Sequence, residues 1–319
     1  MSVTKREALF FSPEISPSMI FHYLEKFHFS SLFDPMTSTS GGAGYFKLQN
    51  VRVISNDRSY YAYVRGKALW ENNTFYIPDE TIDRMCAVEK GDLDGLVRFK
   101  GFDIPHLTDE MKAYLDLWHF RIHREGDEYI HALLSIAVLW CIDYWITTFE
   151  NGSEQSFDPP SLLKFYLMHA NRQVMNNHES NEMWRENPHE LVSKVLADAM
   201  FINPPPLQGY ASFGLRERIT ECWLRDDTGF DTGEIAQGGT LGSPFASVKE
   251  YMASLSEFFD DAGHIQLWII ALSNRQPFTF NEIEHLIRNH GRRPVSVDIE
   301  LPKACFSPRA VHTVVVASG

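Results

Sequence analysis

Asp34-Pro35-Met36-Thr37-Ser38-Thr39-Ser40-Gly41-Gly42-Ala43-Gly44 is the stretch that decides the fold. It comes directly after the short apolar segment Ser31 to Phe33. A glycine-rich turn after a first strand lets the backbone approach a ligand closely, because no Cβ intervenes. Gly/Ser loops also serve as plain connectors, so the loop gains its meaning from the segments on its C-terminal side. Tyr45 to Leu48 resumes apolar character, and Val51, Val53 and Ile54 predict a strand that ends at Asn56-Asp57. A helix is predicted from Ser59 to Glu71. Strand, Gly-rich loop, helix, strand and acidic end is the order of a nucleotide-binding βαβ unit. GxxxxGK[ST] is absent, which argues against a P-loop NTPase.

Upstream, Ala8 to Phe27 starts apolar, passes two Ser-Pro steps and becomes helical, with Ser18 as N-cap and Ile20, Tyr23, Leu24 and Phe27 on one face. Downstream, Thr74 to about Trp184 shows helical patterns at Thr81–Glu89, Asp109–Arg124, Glu128–Phe149 and Pro160–Asn176, without a strand series. This predicts a helical insertion, residues 74–184, between two halves of one sheet, residues 1–73 and 185–319. The α/β rhythm then returns. A helix at Leu191–Leu196 precedes the short strand Ala199–Ile202. Helix Ser247–Asp261, strand His264–Leu272, helix Asn281–His290 and the strands Val295–Leu301 and Val311–Val316 close the chain.

Two positions at predicted strand ends carry chemistry. A carboxylate at Asp57 can accept both hydroxyls of a ribose; it can equally cap the helix that begins near Ser59. Ile202 runs directly into Asn203-Pro204-Pro205-Pro206, a rigid extended turn poor in amide donors. The Asn203 side-chain oxygen and the Pro204 carbonyl could there accept hydrogen bonds from an exocyclic amine, although a proline-rich connector would read the same way. Arg216, Arg218 and Arg225 form one cationic cluster, and Arg288, Arg292 and Arg293 another. Both could touch phosphates or be solvated helix ends. His119 and His123 have helical spacing, but without the HExxH glutamate they read as ordinary helix histidines.

The 319 residues, 44% hydrophobic and 22% charged, suffice for one large α/β domain with an inserted subdomain. The four cysteines are scattered without CxxC spacing, which predicts buried free thiols and no metal site. The longest apolar run, Ala132 to Ile146, is broken by Ser135 and Asp143 and is short for a bilayer. No membrane segment and a cytoplasmic location are therefore expected. The net charge of -13 cuts against unaided polyanion binding, since phosphate contacts supply most of such affinity. Either the cations gather on one face, or a basic partner subunit supplies them.

The motif order, Asp-Pro with a Gly-rich loop, an Asn-Asp strand end, a helical insertion and then Asn-Pro-Pro, resembles the Dam-like adenine-N6 DNA methyltransferases. The resemblance runs from about Phe10 to Val316, weakest in the insertion. It implies a Rossmann-type methyltransferase sheet and S-adenosylmethionine as cofactor, held by Asp34, Pro35, Gly41, Gly42, Gly44 and Asp57. It also implies Asn203, Pro204, Pro205 and Pro206 as the catalytic turn, and adenine-containing DNA as substrate in a modification or restriction-modification setting. Tyr210, Arg216 and Arg218 are the candidate substrate contacts. The chain departs from the family at three places. Its glycine loop is longer than Asp-Pro-Phe-x-Gly-x-Gly. Asn187 and Glu190 match poorly the acidic residue expected before the catalytic strand. Pro206 replaces the aromatic ring that stacks on the flipped base, a contact worth roughly 1–3 kcal/mol. This leaves two outcomes: an active enzyme in which Tyr210 stands in for that ring, or a catalytically degenerate subunit that binds nucleic acid or assembles with others. A nucleotide-binding Rossmann domain of another kind has no need of the Asn-Pro-Pro turn.

Overall fold

The computed structural model describes residues 24, 27–37, 42–89, 91–96, 98–99, 107–150, 157–212, 214–235, 239–272, 277–300 and 311–318. The predicted N-terminal helix (apart from Leu24 and Phe27), Gly41 with Ser38–Ser40, and Ser273–Arg275 lie outside them. The chain forms two compact units, one of residues 1–63, 177–212 and 232–319, the other of residues 64–176 and 213–231. Segment 213–231, placed by the sequence with the C-terminal half of the sheet domain, clusters with the helical unit.

Among the described residues the strands are β1 (Ser31–Asp34), β2 (Arg52–Asn56), β3 (Glu182–Trp184), β4 (Ala199–Ile202), β5 (Leu267–Leu272), β6 (Arg293–Glu300) and β7 (Val311–Ser318). The helices are α1 (Gly42–Leu48), α2 (Tyr60–Gly66), α3 (Asp79–Cys86), α4 (Asp109–Ile122), α5 (Glu128–Glu150), α6 (Pro159–Gln173), α7 (Pro188–Val192), α8 (Leu215–Arg225), α9 (Val248–Asp261) and α10 (Phe280–Asn289). The seven strands form one sheet in the order β3-β2-β1-β4-β5-β7-β6. The pairings from β3 through β5 are parallel, and β7 runs antiparallel between β5 and β6. This is the Rossmann-like methyltransferase arrangement that the motif order implied.

Burial explains the strand compositions. β4 (AMFI) and β5 (LWIIAL) are buried at every position, as central strands covered on both faces must be, so their sequences run apolar without alternation. Glycine at position 42 has a packing reason, because a Cβ there would lie 2.6 Å from the Phe201 ring in β4. Ser247 caps α9, and Thr279 with Glu282 forms a capping box on α10. β3, at the very end of the stretch read as lacking a strand series, is a strand that the sequence does not indicate. Three residues of mixed character give no periodic signal, and pairing with β2 along Ile54–Asn56 is what makes them a strand.

In the helical unit, α5 is the core helix. It is 23 residues long, beyond the Ala132–Ile146 run read from the sequence, and by length and composition it could cross a membrane. Most of that apolar stretch is instead buried, 72% of it, within the protein. Trp118 of α4 stacks on Trp145 at 6.0 Å, and the Trp223 indole of α8 donates to the Leu115 carbonyl at 3.2 Å.

Candidate active site at the strand ends

The strand order of the sheet reverses between the parallel neighbours β1 and β4, and crevices at such a switch point, beyond the carboxyl ends of the strands, are where open α/β sheets bind ligands. Three predicted site residues stand there. Asp34 is the last residue of β1, Asp57 follows β2 and Asn203 follows β4. All three are buried, Asn203 retaining 8% exposure.

Asn56 ties this edge together. Its amide nitrogen donates to the Pro35 carbonyl at 3.0 Å and the Glu186 carbonyl at 3.1 Å, and its oxygen accepts the Glu186 amide at 2.9 Å. One side chain thus fixes the loops after β1 and β3 to the end of β2. The Asn-Asp dipeptide was visible in the sequence, but nothing in it showed that the asparagine is the structural member of the pair.

The structure gives the cap of α2 to Ser59 and sets Asp57 behind it. Its Oδ1 accepts the Ser59 amide at 2.9 Å, while the Ser59 hydroxyl accepts the Ala62 amide at 3.2 Å and begins α2. The same oxygen also accepts the Tyr210 hydroxyl at 2.9 Å. Asp57 is fully buried and Tyr210 keeps 3% exposure. Burial first, and then the Asp57 charge, push the Tyr210 hydroxyl well above the usual phenol range, so it is the donor of this bond. Tyr210 was expected to face substrate; the structure turns it inward instead, onto Asp57.

The proline turn is held from behind. Pro204 and Pro205 are buried, Pro206 is half-buried, and the Tyr251 hydroxyl of α9 donates to the Pro205 carbonyl at 2.9 Å. The Pro206 carbonyl accepts the Gly209 amide at 2.8 Å, which turns the chain so that the Tyr210 amide reaches the Gly242 carbonyl at 2.8 Å. Gly209 (φ +51) and Gly242 (φ +94) both adopt left-handed backbone. A Cβ on Gly209 would sit 1.9 Å from the Gly242 oxygen, and one on Gly242 would sit 2.5 Å from the Tyr210 ring and 3.0 Å from Met36 Cε. His189 of α7 accepts the Leu241 amide at its Nε2, 3.3 Å away, and burial lowers its pKa in keeping with a neutral ring. Gly209 lies in the Gln208-Gly209-Tyr210 stretch after the prolines, which belongs to the family resemblance, whereas Gly242 and His189 carried no signal in the sequence, because their roles depend on contacts between distant segments.

Of the remaining candidates, Pro35 lies in the turn after β1. Gly42 opens α1, with Gly44 two residues further along it. The Thr37 and Ser243 hydroxyls are buried and have no hydrogen-bond partner among the described residues. The cationic clusters are largely spent. In the helical unit Arg216 pairs with Asp143 at 2.6 Å and Glu150 at 3.2 Å, Arg225 pairs with Glu221 at 2.8 Å, and Arg218 is exposed. In the sheet unit Arg288 pairs with Glu284, and buried Arg292 donates to the carbonyls of Gly263, Ile265 and Gln266. A cavity of about 560 Å³ lined by Leu24, Phe27, His28, Ser30 and Asp198 lies at the opposite, N-terminal ends of β1 and β4. The described residues contain no metal-binding cluster of His, Cys, Asp or Glu.

The sheet order, with its parallel strands and antiparallel closing pair, makes this a Rossmann-like methyltransferase fold. No protein-family model matches it. Among characterised proteins it is similar to the type II methyltransferase M.FokI of Planomicrobium okeanokoites, with 21% identity over 294 residues, covering 82% of this chain and 43% of that protein. The chain spans less than half the length of this relative. The similarity supports a methyltransferase at the level of the family; the Dam-like assignment rests on motif order alone.

Proposed function

We propose that the chain transfers a methyl group from S-adenosylmethionine to the exocyclic N6 of adenine in DNA. The observation that carries this reading is the placement of Asn203-Pro204-Pro205 at the end of β4, beside β1 with its terminal Asp34, in a methyltransferase sheet. The similarity to a protein named as a type II methyltransferase supports it.

The residues at the strand ends fit the cofactor in kind. Asp57 offers a buried carboxylate for ribose hydroxyls, Asp34 a buried carboxylate for an ammonium group, and Thr37 and Ser243 buried hydroxyls without other partners among the described residues. When bound, S-adenosylmethionine supplies an electrophilic methyl group on a sulfonium. The Asn203 side-chain oxygen and the Pro204 carbonyl accept hydrogen bonds from the adenine amine, turning the nitrogen lone pair away from the ring. The prolines and the Tyr251–Pro205 bond hold that acceptor rigid, so little reorganisation is needed during reaction. Direct displacement needs no enzyme nucleophile. Phe245, half-buried, with its amide on the Leu207 carbonyl and its ring 5.3 Å from that of Tyr251, offers an aromatic face beside the turn where Pro206 has none. The helical unit is the part available to read DNA sequence.

The test is incubation of the protein with labelled S-adenosylmethionine and adenine-containing DNA, followed by mass spectrometry of the nucleosides. N6-methyladenine formation that falls about 100-fold or more in Asn203→Ala is expected, the scale for losing one preorganised polar contact. Formation unaffected by that change would refute the role of Asn203. A second reading, a degenerate subunit that binds DNA beside a basic partner, is favoured by Pro206 and by the net charge of -13. It predicts that neither the variant nor the cofactor alters assembly.

A further inference from the structure

We propose that Tyr210 is a built-in occupant of the cofactor's ribose position, so that S-adenosylmethionine enters only when Tyr210 and the turn 241–243 swing away from Asp57. The inference rests on the cofactor reading above. A carboxylate at the end of β2 serves a ribose by accepting hydroxyl protons. Here a hydroxyl already does this, the phenol of Tyr210 at 2.9 Å from Asp57 Oδ1, with neither residue open to solvent.

The occupant is tightly seated. Gly242 packs against the Tyr210 ring and Met36 so closely that no Cβ would fit, and Gly209 packs likewise against the Gly242 carbonyl. Met36 lies two residues beyond the end of β1, so the Tyr210 ring, Gly242 and Met36 meet close to that strand end. Two features show that this closed arrangement leaves polar groups unserved. Thr37, next to Met36, and Ser243, next to Gly242, bury hydroxyls with no partner among the described residues. Buried polar groups in folded proteins nearly always find partners, and a ligand entering between these segments would supply them. The Tyr210 hydroxyl accepts the Arg58 amide at 3.4 Å as well as donating to Asp57, and its amide donates to the Gly242 carbonyl, while His189 accepts the Leu241 amide at 3.3 Å. The Asp57–Tyr210 bond is of a kind that a ribose hydroxyl can replace, hydroxyl for hydroxyl, which is what an exchange between two states requires.

Opening has a measurable cost. Hydrogen bonds to charged groups are worth ~1.5–3 kcal/mol, which converts to about 10–100-fold in affinity. The experiment is calorimetric titration of S-adenosylmethionine into the full chain, wild type, Tyr210→Phe, Tyr210→Ala and Asp57→Ala. It is paired with amide hydrogen exchange over residues 207–212 of the wild type with and without ligand. At least tenfold tighter binding by Tyr210→Phe or Tyr210→Ala, abolished by Asp57→Ala, is expected, together with faster exchange of the Tyr210 amide when ligand is added. Equal affinity of wild type and both Tyr210 variants would overturn the occupant while leaving the cofactor reading intact. Unchanged or slower exchange of the Tyr210 amide on ligand binding would overturn it too, without recourse to any variant. Absence of binding in every form at millimolar ligand would overturn the cofactor reading and the occupant with it.

Discussion

Replacing Gly209 by alanine should cost the sheet unit far more than a left-handed alanine does on its own. The backbone at Gly209 has φ +51, where an L side chain costs about 1–2 kcal/mol. The added Cβ would lie 1.9 Å from the Gly242 oxygen, 2.4 Å from its carbonyl carbon and 2.8 Å from the Ser243 oxygen, all backbone atoms that cannot rotate aside. The two turns must therefore separate toward the ~3.5 Å of an ordinary contact, an overpacking strain of about 1–3 kcal/mol. Separation stretches the 2.8 Å Tyr210–Gly242 bond, for about 1 kcal/mol more. The total is about 3–6 kcal/mol. Gly291→Ala is the matched control, because Gly291 has φ +73 and nothing within 4 Å of its Cβ position, so it carries only the ~1–2 kcal/mol backbone term. Urea unfolding of both variants, followed by tryptophan fluorescence, isolates the contact as the difference between them. Midpoints that place the two variants within about 1 kcal/mol of each other would refute the interlocked turns, and with them the seating of Tyr210.

The same geometry makes three further predictions. Gly42→Ala sets a Cβ 2.6 Å from the Phe201 ring and should destabilise by about 1–3 kcal/mol through overpacking between α1 and β4, read as a lower urea midpoint. Arg292→Met strips the donors from three carbonyls at 2.6–2.9 Å and removes the guanidinium 3.8 Å from the Trp268 ring; it should cost about 3 kcal/mol or more and leave DNA binding unchanged. In the helical unit, burial above all, and then the nearby His123 and Arg98 charges, hold His119 down to about 3. Below pH 6.5 the unfolded chain therefore takes a proton that the folded chain refuses. Stability should fall by up to ~1.4 kcal/mol per pH unit between there and about pH 3. His131, also depressed chiefly by burial, adds to the same slope. Chemical denaturation at pH 7, 6 and 5 reads this out, and His119→Phe should flatten the curve.

Local pattern determines what was legible in the sequence. Ala199–Ile202 is a strand with the bounds its apolar run gives it, and α4, α5, α6, α9 and α10 fall within a few residues of their periodic stretches. The strand ends at Asp34, Asp57 and Asn203 were legible for the same reason: a carboxylate or amide followed by proline or a cap interrupts an apolar run. β3 was not, because three edge residues take their conformation from Ile54–Asn56 across the sheet. The state of the site was not legible either. Sequence offered ribose binding and helix capping as alternatives for Asp57, yet one carboxylate oxygen accepts both the Ser59 amide and the Tyr210 hydroxyl. The Ser59 bond is local, two residues away, and pattern could suggest it. The tyrosine arrives from 153 positions along the chain, through a turn whose two left-handed glycines make sense only against each other. A motif can therefore place a carboxylate at a strand end, but what that carboxylate bonds to is decided by segments far away in sequence. Here it depends on Gly209 and Gly242, whose left-handed turns are set against each other.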